Sequence, residues 1–72
     1  MKKIVITHKE GGGTILTIDG EVVHRVMSIE LRWDNKRRRF DFIYSVDNAK
    51  PGQFTTVQEA TFRIPDFTLD VR

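Results

Sequence analysis

The sequence contains no cysteine and only two histidines, His8 and His24. Without cysteine there are no disulfides and no thiolate zinc sites, and two histidines are too few for a histidine-rich metal cluster. A domain of 72 residues buries only about 60% of the surface that its unfolded chain exposes, so its stability margin is thin. Because disulfides and metals are excluded as supports, we expect a homo-oligomer that holds no cofactor and no metal.

Long apolar segments are absent as well. The N-terminus begins with two lysines after Met1, as a signal peptide does, but its apolar run already ends at Thr7. No later segment approaches the roughly 20 apolar residues that a membrane-spanning helix needs. We therefore expect a soluble protein without a membrane partner, folded as a single domain over residues 1–72.

The net charge of +2 is small, but the charges are unevenly distributed. Residues 1–40 contain nine lysines and arginines against five acids, whereas residues 41–72 contain three against five. Such an asymmetry fits either a surface for a charged partner or complementary surfaces for self-association.

Alternation of apolar and polar residues with a period of two dominates the chain and predicts β-strands. Asp19-Gly20 is the strongest hairpin signal, because a type I′ turn needs positive φ at both central residues, and the glycines at 11–13 predict a second turn. The predicted strands are Ile4–Thr7, Thr14–Ile18, Glu21–Val26, Met27–Trp33, Phe40–Val46 and Phe67–Val71.

The segment from Thr55 to Ile64 has two interpretations. Its β-branched residues favour a strand, but Thr56 and Glu59 have the spacing of a helix capping box, so one helical turn stays open. Pro65 belongs at a strand start, an edge or a bend. The pattern as a whole predicts an all-β fold, an antiparallel meander of six or seven short strands that forms a small sandwich or a partly closed barrel.

The connection between the fourth and fifth predicted strands can be assigned a register. A two-residue loop would place Arg32 opposite Arg39, and like charges opposite each other destabilise a strand pair. A four-residue loop over residues 35–38 instead places Arg32 opposite Asp41. It also pairs apolar with apolar residues on the other face: Trp33 with Phe40, Leu31 with Phe42, Ile29 with Tyr44 and Met27 with Val46. We therefore predict the four-residue loop.

One basic run stands out, at the tip of this hairpin. It consists of Lys36, Arg37, Arg38 and Arg39, and Trp33 and Phe40 flank it. These six residues are our candidate contact site. Basic side chains beside aromatic rings can bind phosphates while a ring stacks on a base. The run could also contact a protein. The simpler interpretation, which a short basic run favours, is that it only keeps a protruding loop soluble, in which case both rings face inward.

No constellation points to catalysis. The histidines lie apart, and Ser28 and Ser45 fall opposite each other with no histidine assignable nearby. So small a core also leaves little room for a substrate pocket. We do not expect an enzyme.

The aromatic residues are the better indication of binding. Seven large rings are many for one small core, and any ring left exposed would form a docking patch. Exposed sheet edges offer a second way to dock, by strand addition to another protein or to a second copy. The alternative is that all seven rings fill the core.

The stretch from Leu16 to Val23, followed by Val26 and Ser28 to Leu31, resembles the opening of small phage and prophage-encoded β-proteins of unknown function. The resemblance covers about residues 14–46 and implies no functional residues. It implies action in the cytoplasm of a bacterial host or in a virion. The leading hypothesis is thus a noncatalytic protein-interaction module, and the alternative is nucleic-acid binding through the basic tip.

Overall fold

The computed structural model describes residues 1–72 and contains seven β-strands and no helix. The strands are β1 (Lys2–His8), β2 (Thr14–Ile18), β3 (Glu21–Val22), β4 (Val26–Asp34), β5 (Arg39–Asp47), β6 (Val57–Arg63) and β7 (Phe67–Val71). They form a four-stranded sheet in the order β3-β2-β1-β7 and a three-stranded sheet in the order β4-β5-β6. The all-β prediction is confirmed, and the architecture is two packed sheets without a closed barrel.

Consecutive strands within each sheet are antiparallel, as the meander prediction requires. One additional pair closes the four-stranded sheet: β7 returns from the other sheet and runs parallel to β1, with Ile4 opposite Leu69. The parallel pair was not predicted, because alternation shows which face a side chain occupies but not the direction of a neighbouring strand.

Two turns form as their glycines predict. Asp19 and Gly20 have φ values of 52° and 83°, the positive values that a type I′ turn requires. The Asp19 carboxylate accepts a hydrogen bond from the Lys3 amide at 2.8 Å and lies 3.3 Å from the Lys2 ammonium group. The hydrogen bond from the Lys3 amide is the main cause of a lowered pKa of the Asp19 carboxyl group, and the hydrogen bond from the Lys2 side chain is the next. The glycines at 11–13 all have positive φ and close the β1–β2 turn.

The third strand is shorter than predicted. It ends at Val22 and not at Val26, so His24 lies in a connection and not on a strand. The chain crosses there from one sheet to the other, and Arg25 adopts a positive φ of 60°, which interrupts extended backbone. The Arg25 guanidinium donates to the Ala49 carbonyl at 2.6 Å and to the Asp47 carboxylate at 3.0 Å, which fixes the crossing.

The segment that was ambiguous between strand and helical turn is a strand, β6, and Glu59 lies within it opposite Ser45. Thr56 does not cap a helix, since its amide donates to the Asp47 carboxylate at 3.2 Å. Pro65 lies in the turn between β6 and β7 after a cis peptide bond, in agreement with the predicted bend.

The core lies between the two sheets and is small. Its fully buried residues are Ile4 and Leu16 from the four-stranded sheet and Phe42 from the other, and Phe67 at the start of β7 completes the cluster. The Phe42 and Phe67 rings are 6.0 Å apart. Half-buried residues pack around this cluster, among them Ile29, Tyr44 and Phe62.

Candidate docking surface

The β4–β5 hairpin has the predicted four-residue loop over residues 35–38. Trp33 is opposite Phe40, Leu31 is opposite Phe42, and Ile29 is opposite Tyr44. The register changes only at the start of β4, where a bulge between Val26 and Ser28 places Val26, and not Met27, opposite Val46. The predicted pairing of Met27 is therefore wrong, because the extra residue of a bulge is left unpaired.

The polar face of the hairpin is paired as the charge argument predicted. Arg32 lies opposite Asp41, and Ser28 lies opposite Ser45 with their hydroxyls hydrogen-bonded to each other. Arg32 also contacts the carboxylate of Glu30 at 3.0 Å, and this bond raises the pKa of the Arg32 guanidinium above its ordinary value. Both serine hydroxyls therefore have a structural partner in each other.

Asp34 organises the hairpin tip. Its carboxylate accepts hydrogen bonds from the amides of Lys36 at 3.0 Å and Arg37 at 3.1 Å, and its carbonyl accepts from the amide of Arg38 at 2.7 Å. The hydrogen bond from the Arg37 amide is the main cause of a lowered pKa of the Asp34 carboxyl group. Arg38 has a positive φ of 54°, which closes the turn. The loop is thus fixed by its own backbone groups.

The four basic side chains of the tip differ in their surroundings. Arg37 is 3.9 Å from the Asp34 carboxylate, and Arg39 is 3.8 Å from that of Asp41. Lys36 and Arg38 have no carboxylate within ion-pair distance and are exposed to solvent. About half of the charge of the run is therefore balanced within the hairpin, which leaves two free cations at its end.

Beside the basic tip, apolar side chains are exposed on the face of the three-stranded sheet that also carries the core residue Phe42. Trp33 and Leu31 are each 49% exposed, and Phe40 is 39% exposed. The rings of Trp33 and Phe40 are 4.9 Å apart in an edge-to-face arrangement. We call these three residues the apolar strip. Ile64, whose amide donates to the Phe40 carbonyl at 3.2 Å, adjoins it and is 41% exposed.

The apolar strip is exposed because the facing sheet does not reach it. Phe42 is fully buried against Phe67, whereas Phe40, two residues earlier on the same strand and face, is not. β4 and β5 each have nine residues, while the strands of the other sheet have two to seven. The hairpin therefore extends beyond the region where the two sheets overlap.

The interpretation in which all seven rings fill the core is wrong. Phe42 and Phe67 are buried, and Tyr44 and Phe62 are half-buried and stacked with centroids 6.2 Å apart. Besides the two rings of the apolar strip, Phe54 is 96% exposed. It lies in the β5–β6 connection, at the other end of β5, and so belongs to no common patch with Trp33 and Phe40.

The outer edge of β4 has unpaired backbone groups, because β4 is an edge strand. The Phe40 carbonyl accepts from Ile64 on the β6 side, whereas the Asp47 amide donates to Arg25 on the β4 side. Along β5, even-numbered residues thus bond to β6 and odd-numbered residues to β4. On β4, the residues opposite these odd-numbered residues of β5 are Ser28, Glu30 and Arg32. The amides and carbonyls of Ile29, Leu31 and Trp33 consequently point away from the sheet.

The structure offers shallow clefts but no collection of catalytic groups around them. One cleft between the sheets, of about 450 Å³, is lined by Tyr44, Phe62 and Ile18, together with the Lys2–Asp19 ion pair. His24 and Glu59 line a separate cleft of about 200 Å³ and make no hydrogen bond to each other. No group of three His, Cys, Asp or Glu side chains is placed to hold a metal ion. No helix long and apolar enough to cross a membrane is present.

Of the six candidate contact residues, Trp33 and Phe40 belong to the apolar strip, and Lys36, Arg37 and Arg38 form its charged end. Arg39 does not, because its side chain lies on the opposite face with Asp41 and is only 28% exposed. Leu31 belongs to the apolar strip but is not among the six candidate residues, although alternation places it on the same face as Trp33 and Phe40. The greater length of the hairpin strands was the signal that could have identified it.

Comparison with known protein families, with curated proteins and with solved structures finds no match for this chain. The resemblance of residues 14–46 to phage and prophage β-proteins therefore stays a prediction.

Proposed function

We propose that this chain is a noncatalytic protein-interaction module that docks partners on the apolar strip and the adjoining edge of β4. The single observation that carries the proposal is the exposure of Leu31, Trp33 and Phe40 on a face that elsewhere forms the core. The resemblance to phage and prophage β-proteins supports the cytoplasm of a bacterial host, or a virion, as the place of action.

The composition of the strip is that of an interface. Aromatic residues are enriched in protein interfaces, and tryptophan is among the residues that most often dominate binding energy. Trp33 and Phe40 already contact each other edge to face, so little side-chain entropy is lost when a partner covers them. The rim beside them is polar and basic, through Arg37, Arg38 and Lys36.

The β4 edge adds a second means of recognition. Backbone groups that point away from the sheet can pair with an extended segment of a partner, while the side chains of the strip contact that segment from one face. A partner strand would thus satisfy the unpaired groups of Ile29, Leu31 and Trp33 and bury the apolar strip in one step.

A pull-down from a lysate of the native host tests the proposal. The double variant Leu31→Ala/Trp33→Ala should lose a partner that the wild-type chain retains, because both anchors are removed. Val22→Ala is the matched control, since Val22 is 50% exposed but lies on β3, away from the strip. Equal capture by all three chains would contradict the proposal.

A second function, nucleic-acid binding through the tip, is favoured by one observation. Lys36 and Arg38 have no acidic partner and are next to two exposed rings, the combination that binds phosphates and stacks on bases. The balanced charges of Arg37 and Arg39 weaken it relative to the first proposal.

A salt titration separates the two functions. If the tip binds single-stranded DNA or RNA, the affinity should fall steeply with salt, and the variant Lys36→Ala/Arg38→Ala should bind less and with a shallower salt dependence. The matched control is Lys9→Ala/Lys50→Ala, which removes two exposed cations from other loops. No binding at low salt would eliminate nucleic acid as the partner.

A further inference from the structure

We propose that a second copy of this chain occupies the β4 edge, and that the two β4 strands pair antiparallel about a two-fold axis at Leu31. The inference rests on the proposed function, because it names the partner of the same surface. It follows from the direction of the backbone groups, the pattern of charges and the distribution of exposed apolar side chains along one strand.

The backbone groups limit the pairing to a few registers. Ile29, Leu31 and Trp33 present their amides and carbonyls to the free edge, so pairs between two copies must form among odd-numbered residues. With the axis at Leu31, Leu31 pairs with Leu31 of the second copy. Ile29 pairs with Trp33 of the second copy, and symmetry makes this pair occur twice. Each of these pairs exchanges both backbone hydrogen bonds.

The charges select this register over its neighbours. An axis at Leu31 places Glu30 opposite Arg32 of the second copy, and this attractive pair also occurs twice. An axis at Glu30 would place two carboxylates opposite each other, and an axis at Arg32 would do the same with two guanidinium groups. Like charges directly opposite destabilise a strand pair. Glu30 and Arg32 are both about half exposed, with side-chain exposures of 52% and 60%, and are accessible to a second copy.

The apolar face favours the same arrangement. With the axis at Leu31, the exposed side chains of Leu31 and Trp33 lie beside Leu31 and Ile29 of the second copy, so apolar residues cover apolar residues. The three-stranded sheets of two copies would join into one continuous six-stranded sheet. Its apolar strips would form one surface across the axis.

The opposite edge of the sheet, β6, is the competing site. An axis at Thr61 would also place opposite charges together, Glu59 with Arg63. Its apolar face, however, carries Ala60 and Phe62, both already half-buried, and Phe62 packs against the core. The β4 edge therefore buries more exposed apolar surface on pairing, and burial of apolar surface is the main favourable term in association.

Single-cysteine variants test the register, since the chain has no cysteine of its own. Residues paired across antiparallel strands have Cα atoms about 4.5–5.5 Å apart, and a disulfide needs Cα atoms no more than about 7 Å apart. Leu31→Cys should therefore form a disulfide-linked dimer under mild oxidation. Glu30→Cys and Arg32→Cys should form no disulfide-linked dimer, because their equivalent residues are offset by two positions along the strand. Thr61→Cys, at the matching position of β6, should also form no disulfide-linked dimer.

Each other outcome overturns the inference in a distinct way. Cross-linking of Glu30→Cys or Arg32→Cys, and not of Leu31→Cys, would assign another register, and cross-linking of Thr61→Cys alone would assign the β6 edge. If none of the four variants forms a disulfide-linked dimer while Leu31→Ala/Trp33→Ala still loses a host protein, the self-pairing is wrong and the protein-interaction function stands. If neither result is obtained, both fail.

A charge reversal without cysteine gives an independent test by sedimentation equilibrium. Glu30→Arg would place arginine opposite Arg32 of the second copy twice, and it should raise the dimer Kd by about tenfold or more. Glu59→Arg makes the same change on β6 and should leave the Kd unchanged. An equal effect of both variants, or no dimer of the wild-type chain, would contradict the inference.

Discussion

The inner face of the β4–β5 hairpin has two regions with the same sequence pattern and different surroundings. Phe42 is fully buried between the sheets, whereas Phe40 and Trp33, one step further along the same face, are 39% and 49% exposed. The apolar alternation continues through both regions, but the facing sheet covers only one of them. Alternation therefore defines a face that can be buried, and the length of the opposing strands decides how much of it is.

The largest expected difference between the regions is in their contribution to stability. Phe42→Ala should reduce the free energy of unfolding by about 3–5 kcal/mol, because it leaves a cavity in the core. A domain of this size has a total stability of only about 4–11 kcal/mol, so the variant should lose a large fraction of its stability and unfold at a much lower urea concentration. Urea unfolding followed by circular dichroism measures the change.

Leu31→Ala is the matched change in the uncovered region. It should reduce the free energy of unfolding by about 1 kcal/mol or less, since the Leu31 side chain is half exposed and its removal leaves no closed cavity. A loss as large as that of Phe42→Ala would mean that the apolar strip is part of the folding core.

Most of the β4–β5 hairpin could be predicted from the sequence, because both of its faces carry register information. The charge pair of Arg32 with Asp41 and the apolar pair of Trp33 with Phe40 require the same four-residue loop. The bulge at Met27 could not be predicted, since it depends on the crossing at Arg25 between the sheets. The parallel β1–β7 pair is likewise a property of the whole chain and has no local signal.

The candidate site was predicted only in part. Trp33, Phe40 and the basic run follow from the sequence, and alternation places Arg39 with Asp41 on the face opposite Phe40, but the exposure of Leu31 does not follow. It depends on where the cover by the facing sheet ends. A pattern of period two contains no information on that.

Substitutions at positive-φ residues in the β2–β3 turn and at the tip of the β4–β5 hairpin should change the stability of the fold in opposite directions. Gly20→Ala should destabilise the fold by about 1 kcal/mol, because a φ of 83° strains a residue with a Cβ atom. Arg38→Gly, at the tip, should be neutral or stabilise by up to about 1 kcal/mol, since it relieves a positive φ of 54° in a non-glycine residue. Urea unfolding midpoints compare the two, and a large loss in Arg38→Gly would show that the Arg38 side chain contributes to the fold.

The smallest predicted effect is on the pH dependence of stability, because it rests on a single, partly exposed carboxyl group, that of Asp47. The Asp47 carboxylate accepts hydrogen bonds from the amides of Ala49 and Thr56 and so fixes both ends of the β5–β6 connection. These hydrogen bonds lower the pKa of the Asp47 carboxyl group. A carboxyl group with a lowered folded pKa stabilises the fold above its unfolded pKa, about 3.9, and this contribution is lost as the pH falls through the folded value.

Asp47→Asn keeps the acceptor oxygen but removes the titration. Between pH 6 and pH 2, the urea midpoint of the wild-type chain should therefore fall more steeply than that of the variant. Asp66→Asn, which removes a carboxylate that accepts no side-chain hydrogen bond, is the control and should follow the wild-type curve. Parallel curves for wild type and Asp47→Asn would contradict the assigned role of the Asp47 carboxylate.

The central claim is that the uncovered end of the hairpin is a contact surface and that a second copy occupies it. Amide hydrogen exchange over a protein dilution series tests it most directly, because it reports on single backbone groups. The amides of Ile29, Leu31 and Trp33 should exchange more slowly as the protein concentration rises, while those of Glu59 and Thr61 on the β6 edge should not change. Fast exchange of the Leu31 amide at every concentration would contradict the claim.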